Sequence, residues 1–103
     1  MAYKIVFRKR ALRDIKKLDP HVQHQVLLAV KERALEPFVN GSRLSGDLFG
    51  THKLKLLRLG IRVIYVVEKD AVKMIVLTVG KRSGDEVYKI ALEEFRRYLD
   101  ELD

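Results

Sequence analysis

The run from Ile61 to Val67 constrains the fold more than any other part of the chain. It is apolar at both parities, with Ile61, Val63 and Tyr65 on one and Ile64 and Val66 on the other. A strand with one wet face alternates apolar and polar residues, so this pattern predicts a central strand covered on both faces. Two more strand-like runs flank it, His52 to Arg58 and Val72 to Val79, with only Leu59-Gly60 and Lys69-Asp70 as joints. Joints that short imply an antiparallel meander.

Upstream, Tyr3 to Arg8 alternates as a strand does. From Lys9 the period lengthens. Ala11, Leu12, Ile15 and Leu18 fall on one helical face, with Lys9, Arg10, Arg13, Lys16 and Lys17 on the rest. Asp19-Pro20 ends that helix and opens a second, with Asp19 at the N-cap and Pro20 at the first helical position. Val22, Val26, Leu27, Val30 and Ala34 carry it to Leu35, before Pro37. The short joint predicts an αα-hairpin. Residues 37–50, with Pro37, Asn40, Gly41, Gly46 and Gly50, read as a loop. Ser83 with Glu86 resembles a capping box, and Leu92, Phe95, Leu99 and Leu102 form the apolar stripe of a last helix. The expected fold is one α+β domain over residues 1–103, ordered β-α-α-β-β-β-α. Its sheet is an antiparallel meander with the N-terminal αα-hairpin packed on one face.

Composition narrows the partners. The longest apolar runs have five residues, Val26 to Val30 and Val63 to Val67, whereas a bilayer span needs about 20. Met1-Ala2-Tyr3-Lys4 lacks the apolar core of a signal peptide. A soluble cytoplasmic domain with no membrane partner is expected. The absence of cysteine excludes a disulfide framework and a thiolate site. Net charge is +7, distributed as +5 over residues 1–42, +6 over 43–82 and −4 over 83–103. A basic body with an acidic end segment points to a polyanionic partner.

Candidate chemistry gathers at one end of the meander. Residues facing each other in an antiparallel hairpin have a constant index sum. A joint of two or four residues at Leu59-Gly60 sets Leu57 opposite Arg62, Lys55 opposite Ile64 and Lys53 opposite Val66. Lys53, Lys55 and Arg62 then share a face, expected opposite the helices. Strand polarity brings Lys81-Arg82 toward Arg62, and Tyr88, one turn into the last helix, toward Arg82. Cleavage of RNA by its own 2′-OH uses such a set. A lysine among cations gives up its proton more readily and can act as base. Guanidinium groups suit phosphate oxygens and a charged leaving oxygen, and a tyrosine ring can hold an unstacked base. His21 and His24, at i, i+3, have no evident third metal ligand. His52 alternates away from Lys53, Glu93-Glu94 reads as surface charge, and Gly80 and Gly84 form no phosphate loop.

At these residues the chain resembles the RelE branch of the RelE/ParE toxin superfamily. The resemblance spans nearly the whole chain, from an alanine-led first helix running into Lys17-Leu18-Asp19-Pro20 and on through Leu44-Ser45-Gly46. It is strongest at Lys53-Leu54-Lys55-Leu56 with Gly60-Ile61-Arg62-Val63-Ile64-Tyr65, and at Val79-Gly80-Lys81-Arg82 with Glu86-Val87-Tyr88. The chain departs from close members at His52, Leu59 and a longer final helix. The resemblance implies a RelE-like fold and a toxin that cleaves mRNA in the ribosomal A site without metal or cofactor. It implies Lys55 as base, Arg82 at the leaving group, Lys53 and Arg62 on the phosphate, and Tyr88 on the base. Lys9, Arg10, Arg13, Lys16, Lys17 and Lys81 would then bind ribosomal RNA. Implied partners are an acidic RelB-like antitoxin, the ribosome, and operator DNA through the antitoxin complex. A ParE-like gyrase toxin would share the fold and the Arg62 region without needing both lysines, Arg82 and Tyr88. A non-catalytic RNA- or ribosome-binding module would need only the basic surface.

Overall fold

The computed structural model describes residues 2–102. Four strands, β1 (Lys4–Phe7), β2 (His52–Leu56), β3 (Ile61–Glu68) and β4 (Lys73–Lys81), form one sheet in the order β1-β4-β3-β2. Helices α1 (Lys9–Lys16) and α2 (Pro20–Arg33) follow β1, and α3 (Glu86–Glu101) closes the chain. The meander of β2, β3 and β4 is antiparallel, as its short joints require, and β1 adds to β4 in parallel. The sheet is therefore mixed. Pairing of strands so far apart in sequence leaves no local signal from which to read it.

The two-sided apolarity of β3 has its structural counterpart in two cores. On one face Val63, Tyr65, Met74 and Val76 pack with Ala11, Ile15, Val26 and Val30 of the αα-hairpin. On the other, Ile64, Val66, Ile75 and Leu77 pack with Val87, Ala91, Phe95 and Tyr98 of α3. The expectation that the cations face away from all the helices is corrected here, because α3 covers the second face. A central strand apolar on both sides needs that cover.

Helical faces differ from the expected stripes in an instructive way. In α1 the buried residues are Ala11, Asp14 and Ile15, while Leu12 is 45% exposed. The strand β1 ends opposite Val76, leaving the rest of β4 without a neighbour on that side. There α1 lies against β4, and Asp14 accepts the Val79 N–H at 3.1 Å and the Thr78 hydroxyl at 2.5 Å. Its other oxygen accepts from Arg10 Nε at 2.9 Å. The carboxylate seals an edge that the strand leaves open. Along α3 the expected stripe is rotated: Leu99 and Leu102 are exposed, and Glu94 and Tyr98 are buried. The buried Glu94 corrects its assignment to surface charge. Arg8 donates to Glu94 and, through two nitrogens at 3.0 and 2.8 Å, to Glu101. The capping box does not form either, since Ser83–Asp85 is a 3-10 turn and Asp85 is the N-cap of α3.

Removing the Asp14 carboxylate strands a buried N–H and a buried hydroxyl. Asp14→Ala is expected to lower unfolding free energy by about 2–4 kcal/mol in urea denaturation. A loss below about 1 kcal/mol would contradict its role as the edge seal.

Candidate functional site

The hairpin of β2 and β3 builds the site. Lys55 stands opposite Arg62, Lys53 opposite Ile64 and Leu54 opposite Val63. The joint is four residues, a 3-10 turn at Leu57–Leu59 and Gly60 in the left-handed region at φ 65°. The expected parity is therefore found: Lys53, Lys55 and Arg62 share a face. The expected register is displaced by two, because β2 ends at Leu56 rather than continuing to Arg58. That displacement draws the cluster tighter, with Lys55 rather than Leu57 across from Arg62.

Arg62 has Lys55 on one side and Gly80 on the other. A Cβ at Gly80 would lie 3.1 Å from Val87 Cγ2, so the missing side chain lets the first turn of α3 rest against the sheet. Tyr88 then accepts a hydrogen bond from Arg62 Nε at 3.2 Å. Arg62 Nη1 is buried and has no hydrogen-bond partner among the described residues. It is an unpaired donor that an anion on the partly exposed side of Arg62 can satisfy after a small shift of the side chain. Lys81 pairs with Ile61, and the Arg82 N–H donates to the Gly60 carbonyl at 2.8 Å. The side chains of Lys55, Lys81 and Arg82 are exposed, and those of Lys53, Arg62 and Tyr88 are partly covered. Lys53, Lys55, Arg62 and Tyr88 thus share the α3 face of the sheet, and the Arg82 backbone lies at the same end, beside Gly60.

The cations of α1 form a separate group. Lys9, Arg13, Lys16 and Lys17 are exposed, and Arg10 is held by Asp14. Lys9, Arg10 and Arg13 line a cleft of about 890 Å³ between β1, α1 and α3. Glu94 and Glu101 in that cleft are occupied by Arg8 and Arg97. The hydrogen bond from Arg8 holds Glu101 below the usual carboxylate range, and Glu101 raises Arg8 in turn. Burial, followed by the hydrogen bond to Glu68, raises the Tyr98 phenol.

His52 lies across the sheet from the cations. It is buried, stacked on Tyr65 at 5.2 Å, with Phe38 edge-on at 5.8 Å. Its Nδ1 is 3.0 Å from Ser42 Oγ, whose proton goes to the Val39 carbonyl. Burial, then the charges of Arg43 and Arg33, lower its pKa from 6.5. His21 and His24 are exposed on α2. Among the described residues no group of three His, Cys, Asp or Glu is placed to hold a metal ion, and no helix is long and apolar enough to cross a membrane. Among the cations whose roles the sequence does not announce, one lies beside the cluster. Arg33, near the end of α2, donates to the Tyr65 hydroxyl at 2.9 Å and the Lys53 carbonyl at 3.3 Å.

A four-stranded mixed sheet between an αα-hairpin and a single helix, with its exposed cations at the helix start, defines a class of small basic α+β proteins. Residues 5–86 match the family model described as the ParE toxin of the type II toxin–antitoxin system parDE. The mRNA interferase toxin RelE of Escherichia coli K12 is 34% identical over 93 residues, covering 90% of this chain and 97% of the relative. An arginine-substituted variant of E. coli RelE in the free state superposes with TM-score 0.79 at 33% identity, covering 90% of this chain and 97% of that one. The toxin in the intact E. coli RelBE toxin–antitoxin complex gives TM-score 0.71 at 32% identity, with 78% and 96% covered. The chain belongs to the RelE/ParE family of type II toxins.

The pH response of stability follows from His52. The unfolded chain takes up a proton near pH 6.5 that the folded chain resists. Stability is therefore full above that pH and falls as pH drops through it. The melting temperature is expected to fall between about pH 7 and 5.5, and His52→Phe is expected to flatten that slope. An unchanged slope in the variant would remove His52 from this account.

Proposed function

We propose that this toxin cleaves mRNA in the ribosomal A site and so halts translation. The carrying observation is Arg62, oriented by Tyr88, paired across the strands with Lys55, and holding a buried nitrogen without an acceptor among the described residues. The name mRNA interferase on RelE relatives supports the same reading.

In this reaction Lys55 takes the proton of the 2′-OH, whose oxygen attacks the adjacent phosphorus. Lys53 and Arg62 bind the non-bridging oxygens as charge accumulates on them. The bond to the 5′-oxygen breaks, giving a 2′,3′-cyclic phosphate upstream. Arg82 stabilises the departing 5′-oxygen, which is protonated from solvent because a guanidinium keeps its protons. Tyr88 holds Arg62 and offers its ring to a base. The cations supply the charge that a metal supplies elsewhere, so no metal or cofactor is invoked. In-line geometry contributes about 7–11 kcal/mol when the reactants are held in place. A small domain with an open cationic patch encloses little of a flexible RNA, and the ribosome holds the codon. Lys9, Arg10, Arg13, Lys16, Lys17 and Lys81 dock on ribosomal RNA. An acidic RelB-like antitoxin neutralises the toxin, and their complex contacts operator DNA.

The test is to add the protein to programmed ribosomes and map the mRNA ends. Cleavage in the A-site codon is expected, with the same message cut poorly when free. Equal rates would make the protein a stand-alone ribonuclease, and no cleavage in either state would favour a gyrase-directed toxin or a binding module.

Lys55→Ala and Arg82→Ala are each expected to slow single-turnover cleavage by at least ~10²-fold while folding is retained. Full activity of Lys55→Ala would dismiss it as base. Chelation that leaves ribosomes assembled is expected to leave the rate unchanged, and its abolition would overturn the metal-free reaction.

A further inference from the structure

We propose that a cleft along the outer edge of β2, walled by Arg33, is a second phosphate subsite that seats the RNA backbone beside the cleaved bond. The inference rests on the nuclease reading above. The cleft is about 210 Å³, and its walls are Arg33, residues 39–42, Lys53 and Lys55. None of these is a carboxylate. Glu32 and Glu36 lie with Arg33 in the neighbouring cleft toward Leu54.

Three contacts hold the guanidinium of Arg33 there. Its Nη1 donates to the Tyr65 hydroxyl and the Lys53 carbonyl, and its central carbon is 5.9 Å from the Tyr65 ring centroid. Nε and Nη2 make no hydrogen bond among the described residues and can take a phosphate as a fork. The cleft is continuous with the candidate site because both contain Lys53 and Lys55. Those residues, two apart on a strand, are separated by about 7 Å along its axis, comparable to one step between phosphates on a single strand. A backbone whose scissile phosphate meets Lys55 and Arg62 can run over Lys53 to Arg33. Asn40 adds an amide at the far wall. The occupant is therefore RNA, and an acidic stretch of a protein partner is the competing outcome.

The experiment measures single-turnover cleavage on programmed ribosomes, using messages in which single phosphates flanking the cut bond are replaced by neutral methylphosphonates. Arg33→Gln is expected to raise the toxin concentration for half-maximal cleavage about tenfold with the limiting rate unchanged. Arg33→Lys should recover part of the loss. At one flanking position the methylphosphonate should weaken the wild type to the level of the variant and cost the variant nothing more. Asn40→Asp, which puts a carboxylate into the cleft and leaves the contacts of Arg33 alone, should give the same shift if Arg33→Gln fails to fold. Wild-type half-saturation in both variants overturns the subsite, as do losses that add at every flanking phosphate. A change confined to antitoxin binding assigns the cleft to a protein instead. Cleavage lost in Lys55→Ala but unaffected by the cleft variants rejects the subsite alone, whereas a wild type that cuts no message rejects the nuclease reading with it.

Discussion

The approach of α3 to the sheet at Gly80 governs the geometry of the site. A Cβ at residue 80 would lie 3.1 Å from Val87 Cγ2, so any side chain there would push the helix back by a few tenths of an ångström. This contact lets the helix begin over the start of β3, and from there Tyr88 reaches Arg62. The far end of α3 is fixed as firmly, by Arg8 on Glu94 and Glu101 and by Tyr98 on Glu68. A helix anchored at both ends holds its first turn as a rigid wall of the cation cluster. In the proposed reaction such support matters, because electrostatic stabilisation of a phosphate depends on groups already in position.

Alternation along β2 assigns opposite tasks to neighbouring residues. His52 and Leu54 point toward the αα-hairpin and are buried, while Lys53 and Lys55 point to the other face. The histidine is surrounded by aromatic rings and two nearby arginines, a setting that favours its neutral form and serves packing. The lysines stand on the opposite face, where the proposed reaction uses them. Arg33 links the two sides, since it reaches around the strand from the hairpin to the carbonyl of Lys53.

Features set by one period of one element were legible in the sequence. The double apolarity of Ile61–Val67 gave the central strand, and strand parity brought Lys53, Lys55 and Arg62 to one face. Features set by two distant elements were not. Nothing in the helical period of α1 marks Asp14 for burial, because its role depends on β1 stopping short of Val79. Glu94 reads as surface charge until Arg8 is placed beside it. Leu99 and Leu102 look like core residues only while the rotation of α3 about its axis is unknown, and Tyr98 and Gly80 set that rotation. Arg33 carried no pattern at all, because its partners are a tyrosine hydroxyl and a backbone carbonyl on two other elements. The two-residue slip in the hairpin came from the 3-10 turn at Leu57–Leu59, a conformation that a leucine-rich segment does not announce.

The proposed use of the 2′-OH as nucleophile, with cations alone around the phosphate, would leave a chemical signature on the product. The most direct measurement is end-group analysis of a message cut on the ribosome. A 2′,3′-cyclic phosphate on the upstream fragment and a 5′-hydroxyl on the downstream one are expected. A 3′-hydroxyl with a 5′-phosphate would mean that water attacked instead, and would contradict the roles given to Lys55, Arg62 and Arg82.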